Sequence, residues 1–92
     1  MRDFECHITV EAKPSDRASL ESAGKAFGWK TSFIEGDPDL GNGTRFFFTK
    51  HYSDFETARV GTNEMAAAVQ WCGVARKKIE EVLADTRAGT WV

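Results

Sequence analysis

The chain has only two cysteines, Cys6 and Cys72, and both stand among apolar neighbours. One pair is too few for the disulfide framework of a small secreted domain, so we expect both to be buried, reduced and packed like small apolar side chains. A zinc site would have to combine them with His7 and His51, but no ligand-spaced pair such as Cys-x-x-Cys supports one. Cys6 and His7 would also point to opposite faces of a strand. We therefore predict no metal site, and no cofactor.

An excess of basic residues is also missing, since the net charge is −2 and the isoelectric point about 5.6. Domains that bind nucleic acids through phosphates usually have such an excess, so a nucleic-acid partner is not expected. No apolar run approaches the roughly 18–20 residues that a membrane span requires. The first residues lack the apolar segment of a signal peptide. We expect a cytoplasmic protein that does not contact membranes.

What the sequence does contain fits one globular domain. The 92 residues match a single unit, and 41% hydrophobic residues with seven phenylalanines can form a core. Apolar and polar residues alternate over 4–10, which is typical of a half-buried strand. Leu20, Ala23 and Phe27 follow at helical spacing, and Gly28 is well placed to end that helix in the left-handed conformation.

The remaining elements follow from the same periodicities. The patterns predict strands at 4–10, 29–35, 44–52 and 74–82, helices near 15–27 and 55–72, a loop at 36–43 and a loosely docked tail at 85–92. Ser53 and Glu56 have the spacing of a capping box at the start of the second helix. Residues 74–84 favour a helix by intrinsic propensity, but Gly73 precedes them as a stop, and we predict a strand.

The order β-α-β-β-α-β is that of a ferredoxin-like α+β sandwich. Right-handed crossovers give a four-stranded antiparallel sheet with both helices on one face. The other face of the sheet is then left uncovered, and we expect function there.

Two short motifs resemble those of known groups. His7-Ile8-Thr9-Val10 and Lys78-Ile79-Glu80 resemble the first and last strands of a group of small, mostly uncharacterised prokaryotic and phage-type proteins. This resemblance implies a ferredoxin-like fold and a strand at 74–82, and it implies no activity.

His7-Ile8-Thr9 and His51-Tyr52-Ser53 are similar to the repeated His-x-Thr/Ser motif of the two-histidine phosphoesterases. That similarity implies hydrolysis of a cyclic phosphate or nucleotide, with His7, Thr9, His51 and Ser53 as catalytic residues. One imidazole would act as acid and the other as base.

Strand alternation assigns a polar set of side chains to the uncovered face. The candidate ligand-binding residues are His7, Thr9, Lys30, Ser32, Thr49, His51, Arg76, Lys78 and Glu80. Such a face can be merely solvated, can bind a protein partner, or can bind a small anionic ligand. An RNA-binding domain of this fold would need a stacking aromatic on the first strand, where this chain has His7. We predict a non-enzymatic binding domain for an anionic small ligand or a protein partner, with the phosphoesterase as the alternative.

Phe46, Phe47 and Phe48 cannot all point toward the helices, because consecutive strand residues alternate. At least one ring is therefore left on the uncovered face, and Trp29, Tyr52 and Trp91 are expected to add aromatic surface. Apolar groups exposed together commonly mark an interface, so we predict a two-fold homodimer.

Overall fold

A computed structural model describes residues 3–37, 43–83 and 86–91 of the chain. Its elements are β1 (Asp3–Ala12), α1 (Arg17–Phe27), β2 (Lys30–Asp37), β3 (Gly43–Tyr52), α2 (Phe55–Ala68), β4 (Val74–Leu83) and β5 (Thr86–Trp91), with 3-10 turns at Pro14–Asp16 and Gln70–Cys72. The strands form one antiparallel sheet in the order β2-β3-β1-β4-β5. The first four strands and the two helices confirm the predicted ferredoxin-like α+β fold.

β4 resolves the ambiguous segment as a strand. It pairs antiparallel with β1, so that Cys6 lies opposite Ile79 and His7 opposite Lys78. The sheet pairing and the burial of Ile79 outweigh the helical propensity of the charged residues around it.

A fifth strand was not predicted. Thr86–Trp91 pairs with β4, where the sequence analysis expected a loosely docked tail. β5 pairs with the edge of β4 through backbone hydrogen bonds, which nearly any sequence can form. The pattern of apolar and polar side chains therefore did not predict this strand. The predicted loop at 36–43 lies mainly outside the described residues; within them, Gly36 and Asp37 belong to β2 and Gly43 to β3.

The core lies between the sheet and the two helices. Its largest fully buried side chains are Phe46, Phe48, Ile8, Leu20, Met65, Ile79, Val10 and Val69. Neither described helix is long and apolar enough to cross a membrane.

α1 packs on the sheet through Gly24. A methyl group there would overlap the Thr31 hydroxyl and crowd the Phe48 ring, so only glycine permits this close approach. Phe27, which the spacing assigned to the buried stripe, is 42% exposed instead; it is the last residue of α1 and directly precedes the Gly28 cap. Gly28 ends the helix at φ 75°, as predicted.

α2 begins at Phe55, with Asp54 as its N-cap. The Asp54 carboxylate accepts hydrogen bonds from the amide and the hydroxyl of Thr57, at 2.9 Å each. The predicted cap, Ser53, lies one residue too early. A carboxylate suits this position because it also interacts favourably with the helix dipole.

Candidate functional site

The uncovered surface of the sheet, here called the open face, carries polar side chains from four strands. On β1, Cys6 and Ile8 are fully buried toward the helices, whereas His7 and Thr9 are partly exposed on the other side. By strand register the open face includes Asp3, Glu5, His7, Thr9, Glu11, Lys30, Ser32, Ile34, Arg45, Phe47, Thr49, His51, Arg76, Lys78, Glu80 and Val82. All nine candidate ligand-binding residues are among them.

The register arranges these side chains in rows across the strands. One row holds Lys30, Thr49, His7 and Lys78, and the next holds Ser32, Phe47, Thr9 and Arg76. Neighbours in a row have Cβ atoms about 4.5–5.5 Å apart, close enough to act on one small ligand.

Both histidines lie at one end of the open face, on either side of Glu5. His7 Nε2 lies 2.7 Å from one Glu5 carboxylate oxygen, and His51 Nε2 lies 3.3 Å from the other. His51 Nδ1 also lies 2.9 Å from Asp3 Oδ2. The structure therefore brings the two histidines together through a shared carboxylate.

Glu80 adds a second carboxylate to this end. It is the cross-strand partner of Glu5, and its Oε1 lies 3.5 Å from His7 Nε2 and 3.4 Å from Lys78 Nζ. We call Asp3, Glu5, His7, His51 and Glu80 the acidic end of the open face.

The sequence analysis missed Asp3 and Glu5 as members of the site. Alternation does place Glu5 on the open face, but its position opposite His51 depends on the register of β1 and β3. Ser53, the last residue of the second phosphoesterase-like motif, is exposed in the bend after β3. It is not part of the sheet.

A second part of the open face, in the rows that follow His7 along β1, contains a small pocket with a different charge. It has a volume of about 150 Å³ and is lined by Thr9, Glu11, Arg45, Phe47, Ala75 and Arg76. Arg45 Nη2 lies 3.7 Å from Glu11 Oε1. The lining thus combines two guanidinium groups, one carboxylate, a hydroxyl and an aromatic ring, and we call it the arginine pocket. Arg45 was on the predicted face but not among the candidate binding residues.

A larger and shallower cleft lies near the end of β1, away from the histidines. It encloses about 570 Å³ and is lined by Glu11, Ala12, Lys13, Asp16, Thr44, Trp71 and Cys72. Trp71 is 57% exposed, whereas Trp29, which was expected to add aromatic surface, is buried. The side chain of Trp91 lies outside the described part of the chain.

Both cysteines are free thiols: Cys6 is buried, as predicted, whereas Cys72, which was also predicted to be buried, is only partly buried. Burial raises the pKa of the Cys6 thiol. Burial also raises the pKa of the Cys72 thiol, and the negative charge of Asp16 adds to it. Cys6 faces away from His7, so the Cys2His2 set weighed in the sequence analysis does not converge.

In comparisons with known proteins, no family model matches the chain and no curated protein is similar to it. The family resemblances drawn from the short motifs therefore stay predictions.

Proposed function

We propose that the chain is a non-enzymatic binding domain whose open face takes a small phosphate-bearing ligand in the arginine pocket. The observation that carries this proposal is the convergence of the Arg45 and Arg76 side chains with Thr9 around one small cavity. Guanidinium groups bind phosphate through two parallel hydrogen bonds, which gives both strength and orientation.

The size of the pocket suits a phosphate group rather than a whole nucleotide. At about 30 Å³ per water molecule, 150 Å³ corresponds to about five waters. The rest of the ligand would lie over Phe47 and along the row that holds Lys30, Thr49 and Lys78. An aromatic ring and nearby cations suit a planar, negatively charged molecule such as a nucleoside monophosphate.

The contact between Arg45 and Glu11 is compatible with this role. At 3.7 Å it is a long ion pair, and the Glu11 side chain is 47% exposed. A guanidinium has five N–H donors and can serve a carboxylate and a phosphate together. Glu11 would then orient Arg45 toward the pocket.

The test is calorimetric titration of the full chain with inorganic phosphate and with adenosine 5′-monophosphate. Arg76→Gln should weaken binding about tenfold to a hundredfold, because a hydrogen bond to a charged group contributes about 1.5–3 kcal/mol. Lys77→Gln is the matched control, because it removes the same charge one residue along β4. The native Lys77 Nζ contacts Asn63 on α2, on the helix side of the sheet. Equal effects of the two variants, or no binding at all, would contradict the proposal.

A phosphoesterase acting through His7 and His51 is less well supported. Both imidazoles lie on the open face, but the Glu5 carboxylate contacts both of their Nε2 atoms. Asp3 and Glu80 add negative charge there, and a phosphate would be repelled. Hydrolysis of a cyclic nucleotide that is lost in both His7→Gln and His51→Gln would establish this alternative.

A further inference from the structure

The acidic end of the open face has the side chains of a metal site. Its core is formed by Glu5, His7 and Glu80, whose ligand atoms all lie within 4.8 Å of one another. These residues come from two adjacent inner strands of the sheet, β1 and β4. Their backbone positions are held by hydrogen bonding on both sides, since β3 and β5 flank the pair.

We propose that Glu5, His7 and Glu80 bind one divalent transition-metal ion, with Zn²⁺ as the best-suited ion. This site is independent of the arginine pocket and of the function proposed for it.

The spacing of the ligand atoms supports the proposal. At the metal–ligand distances usual for zinc, two ligand atoms of a tetrahedral site are about 3.4 Å apart. His7 Nε2 lies 3.5 Å from Glu80 Oε1 and 2.7 Å from Glu5 Oε1. Small rotations of the glutamate side chains would bring all three atoms to bonding distance around one ion.

The charge arrangement supports it as well. Glu5 and Glu80 are direct cross-strand partners, and their side chains are only 16% and 15% exposed. Like charges directly opposite each other on a sheet are destabilising, and partial burial makes the repulsion less screened. Lys78 Nζ, 3.4 Å from Glu80 Oε1, offsets part of this repulsion, and a dication between the two carboxylates would offset more of it.

His7 is oriented for metal binding by a neighbour on β3. Its Nδ1 lies 3.5 Å from the Thr49 hydroxyl oxygen. With the proton on Nδ1 directed at that oxygen, Nε2 presents its lone pair to the two carboxylates. A ligand histidine commonly has its second ring nitrogen held in this way.

The donor set indicates which ion would bind. One imidazole with two carboxylates suits zinc and related transition metals, whereas Mg²⁺ and Ca²⁺ prefer sites made of oxygen alone. His51, whose Nε2 lies 3.3 Å from Glu5 Oε2, is placed to orient Glu5.

The competing explanation is that the contacts of Glu5 and Glu80 with His7, and of Glu80 with Lys78, satisfy the two carboxylates without any metal. Calorimetric titration of the full chain with ZnCl₂ in a non-chelating buffer separates the two. The proposal expects one equivalent of Zn²⁺ to bind and Mg²⁺ not to compete for it. Absence of Zn²⁺ binding would overturn it.

Matched variants locate the site. Glu80→Gln should weaken Zn²⁺ binding at least tenfold, whereas Glu81→Gln, which changes the next residue of β4 on the opposite face, should leave it unchanged. His7→Gln should weaken binding as Glu80→Gln does. The melting temperature of the unsubstituted chain should rise with Zn²⁺, and that of the Glu80→Gln variant should not.

Zinc also binds thiolates, so Cys72→Ser is the remaining control. Unchanged Zn²⁺ affinity in this variant supports the site on the open face. Loss of binding in Cys72→Ser, or equal loss in Glu80→Gln and Glu81→Gln, would overturn the proposal.

Discussion

Gly61 lies inside α2, and the ring of Tyr52 packs against it. A methyl group at this position would overlap the Tyr52 hydroxyl and ring carbons. Intrinsic propensity favours alanine over glycine in a helix by about 1 kcal/mol. The substitution Gly61→Ala therefore tests whether local propensity or the Tyr52 contact decides stability here.

We expect Gly61→Ala to destabilise the fold. Extra volume in a packed contact costs about 1–3 kcal/mol, and Tyr52 cannot move away freely. Its ring is in edge contact with Trp29, at 6.4 Å between centroids, and Lys50 Nζ lies 5.1 Å from its centre. Subtracting the propensity gain leaves a net loss of about 1 kcal/mol, which lowers the melting temperature by about 4–8 °C in a domain of this size.

The assay is thermal and urea unfolding followed by circular dichroism, with a double-mutant cycle. In a Tyr52→Leu background the overlap is removed, so Gly61→Ala should stabilise by about 1 kcal/mol, with a coupling energy of about 2 kcal/mol. Val60→Ala, at a position 42% exposed on the same helix, is the control and should change stability little. If Gly61→Ala stabilises the unsubstituted chain, the Tyr52 ring does not pack against Gly61 as described, and the reasoning is refuted.

Three further predictions concern other parts of the fold. The Thr44 hydroxyl is buried and has no hydrogen-bond partner among the described residues, so Thr44→Val should raise the free energy of unfolding by about 1 kcal/mol. A lower free energy of unfolding in this variant would mean that the hydroxyl forms a hydrogen bond in solution. The pKa of the Cys72 thiol is raised, so its reaction with a disulfide reagent should be slow near neutral pH and should still accelerate above pH 9. Cys6 should react only after unfolding. A Cys72 reaction rate that levels off below pH 8 would contradict this. Phe47 lies on the open face, where a second copy of the chain would compete with a ligand for the same ring. A two-fold dimer through this face should sediment at twice 10.2 kDa, and Phe47→Asp should dissociate it; a monomer at micromolar concentration would refute the dimer.

Alternation and helical spacing were sufficient to predict the four main strands, both helices and the residues of the open face. β1 shows why: half-buried and buried side chains alternate from Asp3 to Val10. The register of a central strand with one buried face is tightly constrained. Once the face of one residue in such a strand is known, alternation gives the face of every other residue in it.

The parts that could not be predicted depend on contacts between distant segments. Periodicity placed Phe27 in the core because spacing gives the helix face of a residue and not whether another segment covers it; Phe27 is the last residue of α1 and is 42% exposed. The pairing of Glu5 with His51 and with Glu80 requires the registers of two strand pairs. β5 is defined by backbone pairing with β4 rather than by a pattern of its own side chains.

The arginine pocket is tested most directly by an NMR titration of the ¹⁵N-labelled chain with inorganic phosphate. We predict saturable amide shifts concentrated at Thr9, Arg45, Phe47 and Arg76, which are reduced in Arg76→Gln and retained in Lys77→Gln. Shifts centred on the cleft at Trp71 and Cys72, or no saturable shifts, would contradict the assignment of the open face as the binding surface.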